Sequence, residues 1–154
     1  MMGFAAFGSA MRRRLPVLVA AAWWGSQACI GFLVVPLLFA HLPTPAQAGG
    51  MAAHLFTAQT WVGLICGLIL LMALRPREVV SESAEAAGAV GLVLAAMLMA
   101  LISEFGVAPH IVARENLALW HSLGSGLYLL QWLLQSLLLW RLLGKRQAGS
   151  GAGP

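Results

Sequence analysis

The chain has 154 residues, of which 60% are apolar and 9% charged; it has no aspartate and carries a formal charge of +4. Soluble domains carry about 25% charged residues, so this composition excludes an ordinary water-soluble domain and places the chain in a bilayer. The basic excess does not read as a nucleic-acid surface, because it comes in short clusters beside apolar runs rather than as a stripe.

Four apolar stretches, about 15–40, 52–74, 84–105 and 117–143, reach or approach the roughly 20 residues that cross about 30 Å of hydrocarbon. Residues 1–14 precede them as a short basic segment, with Met11 directly before Arg12, Arg13 and Arg14. Met11 is therefore an alternative start. A cleaved signal peptide ending at "AQA" (46–48) is disfavoured, since its apolar core would far exceed the 7 to 15 residues of a signal sequence.

The first stretch, "AAWWGSQACIGFLVVPLLFAHLP", offers small residues for close helix approach and Pro36, which predicts a kink a turn from its outer end. Gln27, near its middle, must face protein, because an unpaired amide against lipid tails costs several kcal/mol. The second stretch carries Gln59 and "GLICG", a Gly63–Gly67 pair whose spacing lets backbones touch; packing inside the bundle is preferred to dimerisation. Cys29 and Cys66 read as buried thiols, since their depths differ by roughly 9 Å at 1.5 Å per residue, too far for a disulfide. The third stretch is nearly featureless up to Glu104, expected to reach the headgroups and stay solvated.

In the fourth, at 100° per residue, His121, Ser125, Tyr128, Trp132 and Gln135 fall within one narrow sector. That stripe is expected to point inward. Gln131 lies about 80° off it, and Leu129, Leu130, Leu133, Leu137 and Leu138 are expected to meet lipid. Interhelical packing accounts for the stripe without a reaction, because such polar contacts hold membrane helices together. Residues 144–154 read as a disordered tail.

Pro, Gly or charge breaks each connection, and short connections make antiparallel neighbours, so the expected fold is all-α: an integral membrane, up-down four-helix bundle. Arg75, Arg77, Arg141, Lys145 and Arg146 fall on the same side as Arg12 to Arg14, leaving Arg114 opposite. By the positive-inside rule both termini are cytoplasmic, in the inner membrane of a bacterium.

His41, His54, His110 and His121 all lie toward the outer face, one near each helix end. Imidazoles converging beside Met51, Met97 or Met99 would suit copper, and a haem is the related alternative. None stands at helical spacing from another, so convergence would depend wholly on tertiary structure.

Several pieces in order, "WWG" (23–25), "VVPLLF" (34–39), "AG" (48–49), "LF" (55–56), "WVGLICG" (61–67) and "LWHSLGSGLYLLQ" (119–131), resemble the family of small four-helix membrane proteins that includes transmembrane protein 205 and many bacterial members. The resemblance implies the four-helix fold and no defined reaction; Pro36 and His121 are the residues it carries over. The chain is also similar in size and topology to the copper-resistance membrane domain and to four-helix protoporphyrinogen-oxidising proteins, but its only lysine, Lys145, stands in the tail.

With no ionisable group near the bilayer centre and no nucleophile paired with a base, the expectation is a protein that is not an enzyme and holds no cofactor. It would be a structural, accessory or partner-binding component in contact with lipid and with another membrane protein or itself. The Gly63–Gly67 face and the His121 stripe would be its interaction surfaces. Metal tolerance through the histidines is the alternative. Transport of a small solute along Gln59, Tyr128, Gln27 and Gln135 is the weaker one.

Overall fold

The structure, a computed structural model, describes residues 3–74 and 83–150, with side chains from 14 to 74 and from 87 to 144. Its elements are α1 (Gly3–Cys29), a π-helical segment (Ile30–Val34), α2 (Val35–His41), α3 (Pro45–Ala73), α4 (Ser83–Leu101), a second π-helical segment (Ile102–Val107), α5 (Ala108–Val112) and α6 (Leu117–Ser150). There is no strand among the described residues. Four stretches of 28, 29, 26 and 28 residues are long and apolar enough to cross a membrane.

Helix ends follow local chemistry more than apolar content. α3 begins at Pro45, not near residue 52, because Thr44 caps it: the Gln47 N–H donates to the Thr44 hydroxyl at 3.3 Å and Pro45 occupies the first turn. The third crossing likewise runs beyond residue 105, through α5 to Val112. It ends in a turn where Arg114 (φ 57°) and Asn116 (φ 32°) adopt left-handed backbone. α1 reaches back to Gly3 and α6 runs on to Ser150, so the backbone of 144–150 is helical rather than disordered. Arg75 and Arg77, on which the orientation argument leans, lie outside the described residues, as do residues 151–154.

α1 packs on α3 and α6, and α4 packs on α3 and α6, so consecutive crossings are neighbours and the ring closes between the first and the last. This is the up-down four-helix bundle. Its two halves differ. Toward the α3 C-terminus, Ala20, Trp23, Leu70, Val93, Ala96 and Leu138 form a closed core. Water exclusion gives little drive between helices already in lipid, so such a core is held by close van der Waals packing. Small residues make that packing possible. An added Cβ at Gly63 would come within 2.9 Å of Trp23 Nε1, and one at Gly67 would strike the Met97 thioether. The Gly63–Gly67 face is thereby filled from inside, by α1 on one glycine and α4 on the other, and is not an outward interaction surface. The other half of the bundle is hollow.

A cavity at the end where two helices widen

The first and third crossings are broken in the same way. In each, the residue just before a proline makes an i to i−5 bond: Val35 N–H donates to Ile30 O before Pro36, and Ala108 N–H donates to Ser103 O before Pro109. Proline has no N–H and its ring crowds the carbonyl four residues back, so the ladder widens by one residue instead of tightening. The kink expected at Pro36 therefore takes the form of a π turn, and it has a counterpart in the third crossing.

Both π turns face one cavity of about 850 Å³. Its walls are Gly31, Phe32, Val35 and Phe39 on the first crossing, Ala52, Phe56, Thr57 and Thr60 on α3, Ser103, Glu104, Val107 and Ile111 on the third crossing, and His121, Ser125, Tyr128 and Gln131 on α6. At this end α2 packs on α3, whereas α6 packs on α5 and the second π segment. Exposed Phe32, Phe39, Ser125 and Leu129 flank the gap left between α2 and α6.

The floor is a polar network where the hollow half meets the packed half. Gln135 Nε2 donates to Gln27 Oε1 at 2.6 Å, Gln27 Nε2 donates to the Tyr128 carbonyl at 3.2 Å, and the Tyr128 hydroxyl donates to the Gln27 carbonyl at 2.6 Å. The Tyr128 hydroxyl thus gives the Gln27 carbonyl a donor from another helix, one turn before the π segment. Only glycine fits at 31, because an added Cβ would run into Tyr128 Cε1. Phe56 packs edge-on against the ring at 5.2 Å. On the far side Gln59 Nε2 donates to Ser26 Oγ at 3.0 Å, and Ser26 donates to the Trp23 carbonyl at 2.9 Å.

The expected stripe on α6 divides. Tyr128, Trp132 and Gln135 turn toward α1, with Trp132 stacked on Trp24 at 5.7 Å and edge-on to Phe32 at 5.3 Å. Ser125 and His121, nearer the helix start, line the cavity and are otherwise exposed. Gln131, placed off the stripe, is 5% exposed and lines the cavity, and Leu138, expected in lipid, is 1% exposed. A helix wedged between two neighbours buries a wider arc than one stripe.

The histidines do not assemble. Among the described residues no three His, Cys, Asp or Glu side chains come together. His41 Nδ1 bonds the Leu37 carbonyl of its own helix at 3.0 Å, His54 is exposed, and His110 pairs with Glu115 at 2.7 Å while stacking on Trp120 at 4.0 Å. Only His121 borders the cavity.

The residue that sequence reasoning placed most differently is Glu104. Expected to stay solvated, it is half-buried, lines the cavity and accepts a 2.7 Å hydrogen bond from the Thr57 hydroxyl. The π turn that contains it carries the side chain round to the inner side. Its neighbour Ser103 has a hydroxyl closed to solvent and without a partner. Pro109 was the available signal, since it stands to the third helix as Pro36 stands to the first.

Fold and cavity together define a multi-pass four-helix membrane protein. The chain belongs to the family described as domain of unknown function DUF4149, which matches residues 18–118. The matched region contains both π turns, Gly31 and Glu104, and ends just after α6 begins. No curated protein and no solved structure matches the chain.

Proposed function

We propose that the chain is a non-enzymatic binding protein of the bacterial inner membrane, taking a small lipid-soluble molecule into the hollow half of its bundle. The observation that carries this reading is the cavity of about 850 Å³ framed by two matching π turns. A purely structural bundle gains by filling such a space, because a void forfeits dispersion contacts along its whole lining. Two widened turns on facing helices also sacrifice regular backbone bonding, and π turns of this kind concentrate at functional sites. The volume lies in the range of small-molecule sites, about 300 to 1,000 Å³, with apolar walls and few polar groups. By the positive-inside rule, both termini are cytoplasmic and the cavity lies in the outer half of the membrane. The resemblance to transmembrane protein 205-like proteins accords with this, as it too implies a membrane bundle with no defined reaction. Copper or haem is the less supported alternative, since only His121 of the four histidines reaches the cavity.

The test is photolabelling of the protein in lipid nanodiscs with a photoreactive decanol. Saturable labelling of cavity residues is expected, and it should be lost in Gly49→Phe. Gly49 lines the cavity, and an added Cβ there meets nothing within 4 Å, so the substitution fills space without a clash at its root. Labelling that is unsaturable, or equal in Gly49→Phe, would sink the reading.

A further inference from the structure

We propose that the ligand of this cavity is an amphiphile with an ammonium head group, seated against Glu104, with its chain lying along the aromatic wall toward the gap between α2 and α6. This rests on the reading of the cavity as a binding site. Among the described residues Glu104 is the only carboxylate that lines the cavity, and no lysine or arginine lines it. Among the described residues it has no cation within ion-pairing distance. A carboxylate has about four acceptor positions, and here the Thr57 hydroxyl donates to one oxygen alone, at 2.7 Å. A carboxylate drawn inward from a membrane interface is costly unless paired, so the site is electrostatically incomplete in a direction that only a cation or a proton can correct.

The surroundings select among cations. Phe32, Phe39, Phe56 and Tyr128 line the same space, and aromatic faces attract alkylammonium groups. A bare metal ion would find Glu104, His121 and a few hydroxyls, too few oxygen ligands to replace its water. An anionic amphiphile would meet an unneutralised carboxylate and no basic partner.

The experiment compares three photoreactive probes with the same ten-carbon chain, ending in trimethylammonium, hydroxyl or sulfate, against full-length protein in nanodiscs. Mapping each labelled peptide separates cavity binding from bulk partition into lipid. The ammonium probe is expected to saturate at a concentration about tenfold or more below the alcohol, as a charge-assisted contact implies, with the sulfate weakest. Glu104→Gln should bring the ammonium probe to the level of the alcohol, and an unfolding transition in mixed micelles like that of the wild type shows that the variant is folded. Equal affinity of ammonium and alcohol, or an ammonium preference that survives Glu104→Gln, would overturn the assignment of the head group and leave the cavity standing. Absence of cavity labelling by all three probes would overturn both.

Discussion

Tyr128 carries more of this structure than its place in a polar stripe suggests. Its hydroxyl donates to the backbone of another helix, and its ring lies where a side chain at position 31 would otherwise be. Two substitutions separate these contributions. Tyr128→Phe keeps the ring but removes the bond to the Gln27 carbonyl, and should cost about 1 to 2 kcal/mol in reversible unfolding from mixed micelles. Gly31→Ala should cost more, because a rigid ring held at both its hydroxyl and its Phe56 contact has nowhere to go. In the double variant Gly31→Ala with Tyr128→Ala the clash is gone, so part of the loss should return. If Gly31→Ala proves neutral in the wild-type background, the Tyr128 ring does not lie against position 31 as described. The inward direction of Tyr128 and Gln135 was legible from helical periodicity, and that of Gln27 from the cost of an unpaired amide in lipid. Their partners were not, because a side chain bonding to another helix's backbone leaves no mark in the sequence of either.

At the scale of the element, hydropathy locates all four crossings, but it cannot see how a helix is wound. Pro36 and Pro109 each mark the winding change, and only the first was read as a break inside a membrane helix. Pro109 stands among His, Arg and Glu, which made the region look like a loop. Because Glu104 sits inside the π turn before Pro109, its inward orientation was hidden for the same reason. Restoring the missing N–H by Pro36→Ala should let the first crossing relax toward regular α geometry and narrow the cavity. The expected result is a several-fold drop in saturable decanol labelling with unfolding stability retained or raised. Unchanged labelling would mean that the π turn persists without its proline. The glycine pair on α3 gives a second element-scale contrast. Gly63→Ala drives a methyl into the Trp23 indole and should cost about 1 to 3 kcal/mol, whereas Gly67→Ala meets a flexible thioether and should cost less. A dimerisation motif would instead show equal effects, read out as dissociation.

Across the whole molecule, the two halves divide labour. The half with Trp23, Leu70 and Leu138 is closed and anchors the four helices, so the other half can stay open without loss of the fold. The polar network at Gln27 and Gln135 lies at the boundary and fixes the depth of the cavity floor. Which half faces out decides what the cavity can sample, and the charge distribution gives a definite expectation. Arg14 and Arg141 lie at the closed end. The connection between α2 and α3 and the turn after α5 lie at the open end, where Arg114 is the one arginine among the described residues. In a Cys29→Ala, Cys66→Ala background, Pro43→Cys and Ala113→Cys should react with a membrane-impermeant maleimide added to intact spheroplasts. Gly144→Cys should react only after permeabilisation. All three positions are exposed, so burial cannot imitate the pattern. The reverse pattern would turn the cavity toward the cytoplasm. The carboxylate at Glu104 would then meet ligands drawn from the cytoplasmic side, and the positive-inside argument would fail for a chain whose Arg75 and Arg77 both lie in the connection between α3 and α4.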